Sequence, residues 1–417
     1  MTIIPFIRTY PGKAPEAERT NLNSGIRLCL TPDHYCDRHS SLGTGIAFCL
    51  RGESQSVQIS ERPYSGSLMR AARCTAKNQM ANRREFIAFG LGLGLTALSC
   101  RKLWAESDQA SPYSPLSTGP AADRFKEAQQ RVLSRYHLSA RSQFVLIKSA
   151  HLPMHILEVG TGQPVLMLHG GGLFGASWAQ LLVPLQKRYR AYAPDLPGCG
   201  LTYRIDFHGL PFRATAENMI NEIMDALRLP KANLIGLSMG GYFALVFALA
   251  HPERVNKLVL IGEPAGSSTP NQWKKVVASP EMRMPQHVTL EDTRKAWADT
   301  TVAHLERVDP TLIDADNADS NIPGYVDSWN SMLDDLASEK DLGLSYGLRP
   351  ELKNLRPSTL FIWGDKDFFG PPSEGQEMAA LAPHARCEMV SDAGHAVWID
   401  QSERCTKLVT NFLSSES

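Results

Sequence analysis

The stretch that most constrains this chain is Asn233-Leu234-Ile235-Gly236-Leu237-Ser238-Met239-Gly240-Gly241. An apolar run ends in Gly-x-Ser-x-Gly and passes directly into Tyr242-Phe243-Ala244-Leu245-Val246-Phe247-Ala248-Leu249-Ala250, an apolar helix-forming run. The pattern reads as strand, sharp turn and buried helix. A serine in such a turn takes a strained backbone conformation, so the positions around it must be small. Gly236 and Gly240 meet that need, and Gly241 lets the helix pack close to the strand. The serine hydroxyl then projects above the sheet, beside the unpaired N–H groups that begin the helix. Gly-x-Ser-x-Gly alone is a weak pattern that an ordinary glycine-rich turn also satisfies; the strand–turn–helix setting gives it weight.

The surrounding sequence alternates in the same way. Phe144–Ile147 and Met154–Val159 read as two strands joined by a short turn, and Pro164–His169 as a strand buried on both faces. A helix is expected over Trp178–Lys187, a strand over Tyr189–Ala193 and a helix over Ala214–Leu229. After the serine strand come strands at Val255–Ile261, Ser358–Trp363 and Arg386–Val390, with a last helix near Ala396–Leu413. Such alternation implies a mostly parallel sheet covered on both faces. One interval, 264–352, has no strand run. Its helical stretches, Leu290–Val308 and Val326–Ala337, are separated by Pro- and Asp-rich turns, and it reads as a helical cap inserted over the strand ends where open α/β sheets bind ligands. The core is thus expected in two parts, 142–263 and 353–417.

Acyl transfer by a serine needs a base, an acid that orients the base, and N–H donors for the oxyanion. The base is expected at His395, in Asp392-Ala393-Gly394-His395 just after the last strand, where the glycine lets the ring approach Ser238. The competing reading is a surface-loop histidine. The acid is expected from Trp363-Gly364-Asp365-Lys366-Asp367, with Asp367 placed to fold back toward the histidine and Asp365 stabilising the turn. Glu263, at the end of the strand after the nucleophile, is the alternative acid, weighed against a capping carboxylate. The oxyanion donors are expected to be the N–H of Met239 and one from His169-Gly170-Gly171-Gly172, namely Gly171. His169 itself reads as a structural residue bonded to its own loop. Gly-Lys-Ser/Thr does not occur at this loop, which argues against nucleotide binding. Trp273, Trp297 and Trp329 of the cap read first as cap core and second as pocket wall.

His-Gly-Gly-Gly, Asp-Leu-Pro-Gly-Cys-Gly, Gly-Leu-Ser-Met-Gly-Gly, Trp-Gly-Asp-Lys-Asp and Gly-His-Ala-Val-Trp-Ile-Asp, in this order, resemble the α/β-hydrolase superfamily over about residues 142–415. The resemblance implies an eight-stranded, mostly parallel sheet with a cap inserted after strand 6. It carries over Ser238 as nucleophile, Asp367 as acid, His395 as base, and Gly171 and Met239 as oxyanion donors. Serine rather than aspartate at 238 argues against the epoxide hydrolase and haloalkane dehalogenase branches. Cys199, where relatives often carry an aromatic residue, reads as a small apolar filler.

The first third of the chain has another character. Residues 1–79 hold no period long enough for a core and read as an unstructured leader, with a small N-terminal module as the alternative. In residues 80–105, a methionine is followed by Asn-Arg-Arg-Glu-Phe-Ile and an apolar run of about fourteen residues, too short to span a bilayer. This segment resembles a twin-arginine export signal, which suggests that translation starts at Met80 and that the protein is periplasmic. Leu98-Ser99-Cys100 loosely resembles a lipoprotein cleavage box, which implies membrane attachment through a lipid on Cys100; Leu103-Trp104-Ala105 offers an ordinary cleavage site instead. Residues 106–141 read as a Ser/Pro-rich linker followed by a helix over Asp123–Leu138.

Lys and Arg together number 43, as do Asp and Glu, so overall charge gives no reason to expect a nucleic-acid partner. Neither Cys-x-x-Cys nor His-Glu-x-x-His occurs, and no metal or cofactor is expected. The eight cysteines are too scattered for a disulfide framework. The expected function is hydrolysis of a small-molecule carboxylic ester through an acyl-enzyme. The alternatives are C–C bond hydrolysis on the same fold, a non-catalytic binding protein, and a membrane-associated structural protein anchored through residues 86–100.

Overall fold

The computed structural model describes residues 118–263, 277–338 and 347–415, together with four short strands within residues 1–117. The chain divides into two compact units, Met1–Gln109 and Ala110–Ser417. In the first, Ile26–Leu28, Ile46–Leu50, Ser56–Glu61 and Ala72–Thr75 form one sheet in sequence order. Its first pair is parallel and the next two pairs are antiparallel. The export-like segment 80–105, Cys100 and the linker through 117 lie outside the described residues.

The second unit is built on eight strands: β1 Ala140–Ile147, β2 Leu152–Gly160, β3 Gln163–Leu168, β4 Tyr189–Pro194, β5 Ala232–Leu237, β6 Val255–Ile261, β7 Ser358–Gly364 and β8 Ala385–Val390. Their order across the sheet is β8-β7-β6-β5-β3-β4-β2-β1. Only β2 runs against the rest, pairing antiparallel with both β1 and β4. The expected mostly parallel sheet is therefore observed. Strands β3 and β5 are mostly apolar along their length because helices cover both of their faces.

On one face pack α1 (Pro120–Arg135), α2 (Ala179–Leu185) and α10 (Ser402–Ser414); on the other pack α3 (Phe212–Ala226), α4 (Ser238–Ala250) and α8 (Pro372–Leu381). The α4 helix is buried on nearly every side, which is why its sequence shows no polar stripe. Parallel pairing aligns the C-terminal ends of the central strands: Leu168 lies beside Gly236, Leu237 beside Ile261, and Gly364 beside Val390. The loops that follow these strands therefore open at one edge of the sheet.

Between β6 and β7, the described residues form the helices α5 (Leu290–Ala296), α6 (Pro310–Ser320) and α7 (Tyr325–Ser338). Two expectations about this interval need correction. Leu290–Val308 is not one helix: α5 opens into a π-turn at Trp297–Thr301, and the chain is extended at Val302. Thr300, Thr301 and Val302 are β-branched and crowd a helix, and the Thr301 carbonyl accepts from the Ala396 N–H at 2.7 Å. Asp309-Pro310, read as part of a turn, instead begins α6: the Asp309 carboxylate caps the Thr311 N–H at 3.0 Å and proline fills the first helical position. The terminal helix is likewise two pieces, α9 (Val397–Asp400) and α10, separated by Gln401 in a non-helical conformation.

The cap is pinned to the loop after β4. Arg204 pairs with Asp319 at 2.6 Å, and Gly200 N–H donates to the same carboxylate at 2.8 Å. Ser328 Oγ donates to the Ile205 carbonyl at 2.7 Å. Among the described residues, no helix is long and apolar enough to cross a membrane.

Candidate active site

Ser238 begins α4 directly at the end of β5, with φ +49°. That left-handed conformation costs a non-glycine residue on the order of 1–3 kcal/mol and holds its side chain above the strand ends. Packing maintains it. A Cβ on Gly240 would lie 2.2 Å from the Leu168 carbonyl oxygen, and one on Gly236 would lie 2.5 Å from the Gly240 carbonyl oxygen, so side chains at either position would push the turn off β3.

The loop after β8 delivers His395, whose Nδ1 lies 2.9 and 3.0 Å from the two carboxylate oxygens of Asp367 in the loop after β7. Both side chains are almost wholly buried. Phe369 N–H donates to Asp367 Oδ1 at 2.9 Å and the Phe369 ring lies 4.4 Å from the imidazole, fixing the pair from one side. With Asp367 on Nδ1, the proton sits there and Nε2 is left as the basic atom. His395 Nε2 is buried and has no hydrogen-bond partner among the described residues. Ser238 and His395 line one cavity of about 120 Å3, together with Gly171 and Met239. The structure thus brings together the five residues singled out in the sequence. Glu263, the alternative acid, is fully buried at the end of β6 with its side chain against Gly241.

The neighbouring polar residues have structural partners. His169 Nδ1–H donates to the Gly170 carbonyl at 2.7 Å, and its Nε2 accepts the Leu196 N–H at 2.8 Å. Burial lowers its pKa to about 4, so it stays neutral and braces the glycine loop. Asp365 Oδ1 accepts the Ala393 N–H at 3.3 Å, tying the acid loop to the base loop. Asp195 bonds His155 at 2.7 Å and accepts the Gly175 and Leu201 N–H groups. Cys199 is buried and unbridged among the described residues.

Sequence reasoning missed three contributors. Gly262 follows β6 with φ +48°, and a Cβ there would lie 2.7 Å from His395 Nδ1 and 2.8 Å from Asp367 Oδ2. Its signal was a glycine beside the Glu263 that drew attention instead. Asp400 accepts from the N–H groups of Gly394 (2.8 Å), Ala303 (2.8 Å) and His304 (3.0 Å), joining the His395 loop to the cap. Asp316 of α6 stands on the cavity wall and accepts from the Trp297 indole at 2.6 Å. Trp297 and Trp329 both line the cavity, so the reading of them as cap core first was incomplete; Trp273 lies outside the described residues. Among the described residues no cluster of His, Cys, Asp and Glu could hold a metal ion.

A serine at a strained strand–helix junction, an Asp-held histidine and a capped mostly parallel sheet define a hydrolase class. The family described as the alpha/beta hydrolase fold matches residues 163–402, more than half of the chain, and the chain belongs to that family. It is 28% identical over 299 residues to a 2-hydroxy-6-oxononadienedioate/2-hydroxy-6-oxononatrienedioate hydrolase of Comamonas testosteroni, covering 68% of this chain and 100% of the relative. The solved meta-cleavage product hydrolase CumD of Pseudomonas fluorescens IP01 is 28% identical with a TM-score of 0.55, over 65% of this chain and 97% of that one. The Bacillus subtilis carboxylesterase CesB shares the fold with a TM-score of 0.57 at 23% identity, over 71% of this chain and 99% of that one.

Proposed function

We propose that this chain is a serine hydrolase that cleaves carboxylic esters of small, mainly apolar molecules through an acyl-enzyme. The relatives support C–C bond hydrolysis about as well as ester hydrolysis; one observation favours the ester. The substrates named for the relatives are dienoates and dienedioates, which are anions. The cavity around Ser238 has no Lys or Arg among its described lining residues to pair with a carboxylate. Leu173, Phe212, Trp297, Trp329 and Met332 give it an apolar wall suited to a neutral chain or ring.

In this reading Ser238 Oγ attacks the ester carbonyl while His395 Nε2 takes its proton. Asp367 holds the imidazole and stabilises the imidazolium that forms. The Gly171 and Met239 N–H groups donate to the oxyanion. The imidazolium passes its proton to the leaving alcohol. A water, deprotonated by the same nitrogen, then hydrolyses the acyl-serine.

Ser238→Ala is expected to lose at least about a thousandfold in p-nitrophenyl ester turnover and all labelling by a fluorophosphonate. Retained turnover would refute the assignment. A side-by-side assay of aryl esters and a 2-hydroxy-6-oxo-dienoate separates the two reactions, and faster cleavage of the dienoate would establish the C–C reading instead. We further propose export directed by residues 80–105, with translation starting at Met80 and the mature protein in the periplasm, or held at its membrane by a lipid on Cys100. Mass spectrometry of the protein from its native cell tests this; peptides from residues 1–79 would overturn the proposed start.

A further inference from the structure

Asp316 is the feature of the cavity that ester hydrolysis does not use. It projects from α6 into the same cavity as Ser238 and His395, at 7% exposure. Trp297 Nε1–H donates to its Oδ2, leaving Oδ1 with no hydrogen bond among the described residues. Arg204, from the loop after β4, is paired with Asp319, one helical turn along α6. Besides Ser238 and His395, the described wall carries the polar groups of Tyr242, Trp329, Thr300 and Thr301, and Thr300 Oγ1 already donates to the Ala296 carbonyl at 2.8 Å. A pocket that served only hydrocarbon chains would have no use for a carboxyl group on its wall. Trp297 supplies one donor; the second is absent from the described protein.

Resting on the ester-hydrolase reading above, we infer that Asp316 is a specificity-determining residue that receives a protonated amine on the substrate, so that the preferred esters carry a cationic nitrogen on an otherwise apolar body. The ammonium fills the open Oδ1 with a charge-assisted hydrogen bond. The apolar stem of the substrate lies along the tryptophan and methionine wall. The same carboxylate disfavours anionic chains, which fits the lack of Lys and Arg among the described lining residues.

The test uses three series of p-nitrophenyl esters whose acyl chains, of increasing length, end in ammonium, methyl or carboxylate. For the native protein, kcat/KM at the best chain length is expected to favour ammonium over methyl by at least about tenfold, as one charged hydrogen bond provides, with the carboxylate series slowest. In Asp316→Asn the ammonium-to-methyl ratio should fall to about one. A ratio at or below one in the native protein, or a ratio unchanged in the variant, overturns the inference. Should the variant fail to fold, n-alkylamines and n-alkanoates are compared as competitors of fluorophosphonate labelling of the native protein. Protection by the amine alone supports the inference; equal protection, or stronger protection by the alkanoate, overturns it. Labelling of Ser238 without any ammonium preference would sink this inference and leave the ester reading standing. Loss of labelling would remove that reading itself.

Discussion

At Gly262 a single hydrogen stands between the backbone and the His395–Asp367 pair. An alanine there would need its methyl within 3 Å of both side chains, and would take φ +48°. The imidazole must move, and a displacement of about 1 Å at a catalytic group costs on the order of a hundredfold in rate. Gly262→Ala is therefore expected to lower kcat by about that factor with little change in KM. Gly209→Ala is the control, because Gly209 has φ +71° but open space around it. It should lower stability by about 1 kcal/mol and leave ester turnover intact. Equal kcat effects in the two variants would show that strain, not contact with the pair, is responsible. A second prediction at this scale concerns Asp316. Burial pushes its carboxyl from 3.8 up to about 7. The folded chain then keeps a proton that the unfolded chain has released between about pH 4 and 7, so this group's stabilising contribution is lost as pH rises through that window. Three pH units correspond to at most about 4 kcal/mol. Asp316→Asn should flatten that part of the stability–pH curve, as urea midpoints at pH 5 and 8 will report. Parallel curves for the two proteins would disprove it.

At the scale of elements, the active site depends on loops held together by carboxylates. The Asp400 side chain accepts three N–H groups, one from the His395 loop and two from the cap segment after the π-turn. Asp392 works beside it, bonding Lys366, His304 and Arg307, which hold its carboxyl well below the usual range. Asp400→Ala orphans all three N–H groups, and a loss on the order of 2–4 kcal/mol is expected. Amide exchange should quicken at Ala303, His304 and Gly394 ahead of the sheet; unchanged exchange at those three positions would refute the tie. These links explain what was legible in the sequence. Strands β3, β5 and β6 declared themselves as continuous apolar runs, and Ser238, Asp367 and His395 stood at the ends of such runs, beside glycines. The cap was harder. Its α6 begins at Asp309-Pro310, residues that serve a turn and a helix start equally well. Its first helix breaks where Thr301 bonds Ala396, a partner 95 residues away that no local pattern announces. Gly262 and Asp400 were missed for the same reason, since their roles exist only once distant loops meet.

At the scale of the molecule, α1 joins the cap to the core before the first strand begins. It buries Phe125, Ala128, Val132 and Leu133. Phe125 meets Phe174 edge-on at 5.4 Å, in the loop that leads from the glycine turn after β3. Arg135 reaches Asp309, the cap residue of α6, at 2.7 Å. The helix thus braces the cap from one side while Arg204 and Ser328 brace it from the other. Burying three large apolar side chains contributes about 1.5–3 kcal/mol each before the entropy of ordering the helix is subtracted. A chain beginning at residue 110 keeps α1 and should unfold in one cooperative transition with ester turnover equal to that of the full chain. A chain beginning at His137 exposes Phe174 and the face of α6 that α1 covered, and should lose several kcal/mol, bind a hydrophobic dye and turn over esters slowly. The decisive measurement is turnover by the shorter chain at a temperature where it is still folded. If that rate matches the full chain, α1 contributes stability alone; the bracing of the cap described here requires that it fall, because the wall carrying Trp297 and Asp316 is part of the helix pair that α1 supports.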